Sequence, residues 1–124
     1  MAYKPQGYNS ASPYLVVSDA QKTLDFMKAV FGSEPLRLHR REDGGIMHVE
    51  AMVDDTIIMI GEMPGGPQAN IHVYVDDVDA VFKRAIEAGG AEVQPVQEKG
   101  DGDRRGGVDD GNGTVWWLAT QISD

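Results

Sequence analysis

The side chains able to do chemistry are few and their spacing is suggestive. Glu50 follows His48 by two residues, and Tyr74 follows His72 by two. On a strand that spacing puts both members of each pair on one face. A histidine beside a carboxylate can work as an acid–base group, with Glu50 orienting the ring, or can be a hydrogen-bonded structural residue. His48, Glu50 and His72 are also the residue types of a two-histidine, one-carboxylate metal site. Arg104 can reach an anionic ligand or pair with a nearby Asp. Trp116 and Trp117 are neighbours, so on a strand one faces away from the other.

Other chemistries are excluded by what is missing. The 124 residues contain no cysteine, so disulfides, zinc–thiolate sites, iron–sulfur clusters and thiol catalysis are ruled out. No Gly-rich phosphate loop and no G-x-S-x-G elbow is present. Asp76-Asp77-Val78-Asp79 lacks the spaced ligands and glycine of an EF-hand; Asp76 or Asp77 reads as the cap of a helix. A formal net charge of −9 disfavours binding to a phosphate backbone, so no nucleic-acid partner is expected. No run approaches the ~20 apolar residues of a membrane span. Residues 1–9 lack the apolar stretch of a secretory signal, and the expected setting is the cytoplasm. A hydrophobic fraction of 41% and this length fit one globular domain.

The elements that must hold these residues are written twice. With Val17 laid over Val75, 58 residues on, Leu15 meets Val73, Asp19 meets Asp77, Leu24 meets Phe82, Gly32 meets Gly90 and Glu34 meets Glu92. Each copy begins with a strand (13–17 and 70–75), an Asp-bearing turn and a helix closed by glycine. Leu24, Met27 and Phe31 give the first helix its apolar stripe; Val78, Phe82 and Ala85 give the second. Strands follow at 36–41, 46–53 and 56–61, the last two a hairpin about Asp54-Asp55 that pairs Val53 with Thr56, Met52 with Ile57 and Glu50 with Met59. In the second copy, strands are read at 92–96 and 114–119, with a loop rich in Gly, Asp and Arg over 99–107. The expectation is an α+β protein of two tandem β-α-β-β-β modules, at about 10–63 and 69–121, joined by a linker at 64–68.

These residues resemble the vicinal oxygen chelate superfamily, which includes glyoxalase I, bleomycin-resistance proteins and extradiol dioxygenases. The resemblance rests on Ser12-Pro13-Tyr14-Leu15-Val16-Val17, Leu24-Asp25-Phe26, Phe31-Gly32 and Met47-His48-Val49-Glu50 in the first copy. In the second it rests on His72-Val73-Tyr74-Val75-Asp76-Asp77-Val78-Asp79-Ala80, Gly102-Asp103-Arg104, Gly106-Gly107-Val108 and Trp116-Trp117-Leu118-Ala119-Thr120. It covers residues 12–121 and is closest to the PhnB-like branch. It implies mixed sheets curled into a half-open barrel with a cleft, and a homodimer.

Metal-dependent members of that superfamily place one ligand on the first and last strand of each module. By register those positions here are Ser12, Met59, Asn70 and Trp117. Hard and borderline divalent ions prefer carboxylate oxygen or imidazole nitrogen. The metal site is therefore expected to be absent, and no cofactor is expected. With Asn70 and Met59 facing the cleft, strand parity puts Ser12, Tyr14, His48, Glu50, Met52, Ile57, His72, Tyr74 and Trp117 on the same lining, and Arg104 is counted with them as a candidate ligand contact from the 99–107 loop. An apolar cleft with sparse polar groups suits a small hydrophobic or aromatic molecule. The resemblance thus implies a metal-free binding protein of the bleomycin-resistance type. The alternative is a glyoxalase-like lyase or isomerase, or another enzyme, using His48, Glu50 and His72.

Overall fold

The computed structural model describes residues 2–123. Its elements are β1 (Tyr14–Val17), α1 (Ala20–Phe31), β2 (Pro35–Arg40), β3 (Ile46–Val53), β4 (Thr56–Glu62), β5 (Ala69–Tyr74), α2 (Val78–Glu87), β6 (Ala91–Glu98), β7 (Asp103–Asp109) and β8 (Thr114–Gln121). They form two compact units divided between Gly65 and Gly66. Each is a β-α-β-β-β module with a four-stranded mixed sheet, ordered β1-β4-β3-β2 in the first and β5-β8-β7-β6 in the second. The opening strand of each module runs parallel to the closing one, and the other pairings are antiparallel. The protein is α+β, as the sequence predicts.

The repeat holds down to individual atoms. Asp19 caps α1 by accepting from the Lys22 amide at 3.1 Å, and Asp77 caps α2 by accepting from the Ala80 amide at 3.2 Å. Gly32 ends α1 in the left-handed region, φ 72°, where a Cβ would be strained. Each helix packs on one face of its own sheet. Beneath α1 the alternate residues Leu15, Val17, Val49, Ala51, Ile58 and Ile60 are all buried. Beneath α2 the same pattern buries Val108, Trp116 and Leu118. Trp116 is fully buried, and its indole N–H donates to Asp110 at 3.1 Å, so the core ring keeps a polar partner.

One segment departs from the sequence reading. The loop expected over 99–107 is in large part β7, which pairs with β6 on one side and β8 on the other. Its Gly and Arg content gives no alternating apolar signal. The ladder on both edges outweighs the weak strand propensity of Gly106-Gly107. Gly106 is required where the strand passes under α2: a Cβ there would stand 2.8 Å from a Phe82 ring carbon. The 92–96 strand likewise extends to Ala91–Glu98. Among the described residues, no helix is long and apolar enough to cross a membrane.

Candidate functional site

In both units the sheet face away from the helix carries most of the polar and aromatic side chains singled out above, Arg104 and Trp116 excepted. In the first unit the hairpin register is the expected one, Glu50 opposite Met59 and Met52 opposite Ile57. Tyr14 lies beside Met59 across the parallel pair. Tyr14 and Met52 are exposed, Met59 and His48 are half-buried, and Ile57 is buried in the floor. The Ser12 hydroxyl oxygen is buried without a hydrogen-bond partner among the described residues.

Glu50 is the most unusual group of this face, a carboxylate only 1% exposed. His48 Nε2 lies 2.8 Å from its Oε2, and the Tyr8 hydroxyl donates to its Oε1. Burial is the strongest influence on its pKa and pushes it up. The hydrogen bonds of His48 and Tyr8, with the electrostatic influence of His48 and Arg37, outweigh burial and hold it below the usual carboxylate value. Tyr8 is shifted the other way, chiefly because its hydroxyl is committed to Glu50 and then by burial. The Arg37 guanidinium sits 4.9 Å from the Tyr8 ring centre. The Tyr14 hydroxyl reaches to 3.5 Å of His48 Nδ1. A Tyr8–Glu50–His48–Tyr14 chain thus crosses the face.

The second unit has a counterpart. His72 lies beside Trp117 in the parallel pair, as Tyr14 lies beside Met59. Arg105 Nε donates to His72 Nε2 at 3.1 Å. The same guanidinium donates to Asp101 at 2.8 Å and to Asp103 at 2.6 Å, and Asp103 also accepts from the Tyr74 hydroxyl at 2.8 Å. Burial, then the Arg105 charge, lowers the pKa of His72. The indole N–H of Trp117 donates to Asn70 Oδ1 at 3.0 Å. Alongside, Tyr74, Val75, Asp76 and Gln121 border a cavity of about 470 Å³.

The structure therefore joins His48 to Glu50 in the first unit and keeps His72, Tyr74, Asn70 and Trp117 together in the second. Arg104 is placed on the opposite face. It forms a two-pronged pair with Asp79 on α2, 2.9 Å for each prong, and reaches Glu98 at 3.4 Å. The arginine on the site face is its neighbour Arg105, which sequence reasoning missed together with Tyr8, Asp103 and Gly107. A signal for Arg105 existed. The turn between β7 and β8 is one residue longer than that between β3 and β4, so the repeat spacing on this strand is 57 rather than 58 and Arg105 corresponds to His48.

The four positions where the resemblance implies metal ligands do not fit a divalent ion. Met59 and Trp117 offer no oxygen or imidazole donor, and the Asn70 carbonyl is already engaged by Trp117. Among the described residues no group of three His, Asp or Glu side chains is arranged to hold a metal.

Comparison with known proteins agrees with this architecture. A 32% identical relative is the uncharacterised Mycobacterium bovis protein Mb0911c, the match covering 91% of this chain and 84% of that one. Among solved structures, TioX from Micromonospora sp. ML1 superposes with a TM-score of 0.76 at 27% identity, over 91% of this chain and all of that one. TnmS3, an antibiotic binding protein from Streptomyces sp. CB03234, gives 0.69 at 23% identity over 91% of this chain and 97% of that one. The fosfomycin resistance protein FosX of Listeria monocytogenes gives 0.73 at 18% identity over 90% and 92%. The family pattern itself matches residues 9–118, nearly the whole sequence. With two β-α-β-β-β modules, the repeat that relates them and this match, the chain belongs to the glyoxalase/bleomycin resistance protein/dioxygenase superfamily.

Proposed function

We propose that the protein is a metal-free binding protein for a small hydrophobic or aromatic molecule, acting as a cytoplasmic homodimer. The observation that carries this reading is the donor set at the four ligand positions. Thioether, indole, a buried hydroxyl and an engaged amide are poor partners for a divalent ion, whereas the first two and their neighbours suit an apolar ring. Tyr14 at 52% exposure and Tyr74 at 61% are large aromatic side chains left uncovered on site faces. Antibiotic binding by TnmS3, on the same fold, supports the reading by analogy. Exposed Leu36 and Leu38 on edge strand β2, and Val93 on edge strand β6, favour association of chains.

Equilibrium dialysis of neutral polycyclic aromatics against the protein, in chelator-containing buffer, tests it. Saturable binding with the compound recovered unchanged is expected. No binding by any of them, binding only with added metal, or conversion of the compound would overturn the reading.

A second reading, acid–base catalysis, is favoured by one observation: Glu50 holds His48 through Nε2 and leaves Nδ1 toward Tyr14. It requires turnover of a bound compound that is lost in His48→Ala.

A further inference from the structure

We propose that the open face of the second sheet is a subsite for a neutral, planar aromatic ligand bearing hydrogen-bond acceptors, such as an aromatic ketone or quinone. This rests on the binding reading above and narrows it from any apolar ring to one chemical class.

The ring-shaped half of the argument is the Trp117 indole. Its six-membered ring lies against Gly107 of β7: a Cβ at that position would stand 2.6 Å from Cζ3 and 2.8 Å from Cε3. Any other residue would lift the indole off the strand. The N–H bond to Asn70 pins the other end of the ring system. One face of the half-buried indole is thus against the sheet, and its exposure comes from the other. That is a flat, pre-positioned platform for a second ring.

The polar half follows from partners that can only donate. An indole N–H has no acceptor, so the Asn70 oxygen must be the atom facing it, and the amide presents its two N–H groups elsewhere. A guanidinium likewise has no acceptor, so His72 Nε2 must accept from Arg105. His72 is then neutral with its proton on Nδ1. Among the described residues no hydrogen-bond partner occupies Nδ1. Arg105 itself spends one N–H on each of His72, Asp101 and Asp103, and two of its five remain.

Among the described residues around Trp117, the uncommitted polar hydrogens are therefore those of Asn70, His72 and Arg105. The carboxylates of Asp101 and Asp103 are already engaged. They also leave the Arg105 group with a formal charge of −1, which disfavours a carboxylate or phosphate ligand. Donors around an indole, without spare positive charge, match uncharged carbonyl oxygens on a planar ring.

Two measurements test this. The first is the histidine tautomer, read by ¹⁵N NMR on the full chain: His72 should be the Nδ1–H form in the native protein and shift toward Nε2–H in Arg105→Met. A native Nε2–H tautomer overturns the proposal whatever binds. The second compares 2-(hydroxymethyl)anthraquinone with 2-(hydroxymethyl)anthracene by equilibrium dialysis. The quinone should bind roughly three- to tenfold more tightly, the worth of one or two net hydrogen bonds. His72→Phe, an exposed site that keeps a ring, should bring the ratio to near one. If the native protein binds both compounds equally, the acceptor inference fails and aromatic binding stands. If it binds neither, both fail. A ratio unchanged in His72→Phe also overturns the proposal.

Discussion

Tyr8→Phe isolates one hydrogen bond with almost no change of shape. The ring keeps its place beneath Arg37, and only the hydroxyl that donates to buried Glu50 is lost. Hydrogen bonds to charged groups contribute about 1.5–3 kcal/mol. Glu50 is 1% exposed, so its Oε1 would be left in a dry site and the upper half of that range applies. For a chain of 124 residues, an unfolding entropy of about 2.1 cal/mol/K per residue makes 1 kcal/mol worth roughly 4 °C in Tm. A loss of about 9–12 °C is expected at pH 7, with a matching fall in the urea midpoint. The pH dependence has a definite sign. Glu50 titrates lower in the folded chain than in the unfolded one. Its contribution is therefore full above the unfolded carboxylate value, about 4.3, and is lost as pH falls through the lower folded value. Tyr8→Phe removes one of the bonds that depress that pKa. The gap between variant and native protein should thus be widest near neutrality and narrow below about pH 4. A gap under about 0.5 kcal/mol at pH 7, or one that stays constant into the acid range, would refute the placement of Tyr8 on Glu50.

The remaining expectations concern the tryptophans, metal and assembly. Trp116→Ala should leave a core cavity and cost roughly 3–5 kcal/mol by urea unfolding, while Trp117→Ala should cost less and weaken aromatic binding by about 1–3 kcal/mol. The reverse order would mean that the faces of β8 are misassigned. After dialysis against nickel, zinc or manganese, elemental analysis should find no stoichiometric ion; one tightly held ion per chain would overturn the metal-free reading. Sedimentation equilibrium at micromolar concentration should give twice the 13.5 kDa chain mass; a monomer alone counts against the homodimer.

The parts of the fold carried by local chemistry were legible. Asp77 as one of two candidate caps of the second helix, Gly32 as a helix stop and Asp54-Asp55 as a two-residue turn each act within a few residues of themselves. The hairpin register followed from that turn, and with it the common face of His48, Glu50 and Met59. Strand parity put Trp116 and Trp117 on opposite faces, and the family resemblance put Trp117 on the open one; Trp116 is buried and Trp117 half-buried. What was not legible depends on distant partners. β7 has no alternating apolar pattern and exists because two strands flank it. Tyr8 belongs to a segment with no periodicity, and its role comes from a carboxylate 42 residues away. Arg104 and Arg105 are indistinguishable by type. Only the extra residue in the β7–β8 turn decides which one shares a face with His72.

That extra residue also explains why two copies of one module carry different surfaces. By the 57-residue spacing, Glu50 of β3 corresponds to Gly107 of β7, each opposite the fourth-strand position held by Met59 or Trp117. In the first module a carboxylate fills the place and must be made good by His48 and Tyr8. In the second the side chain is gone, and the indole lies in the space that a Cβ would take. The neighbouring positions diverge in step: Tyr14 meets His48 through a hydroxyl, whereas His72 meets Arg105 through a ring nitrogen. The first face thus joins a buried charge to a protein hydroxyl of its own. The second spends its carboxylates on Arg105 and leaves donors around an aromatic platform.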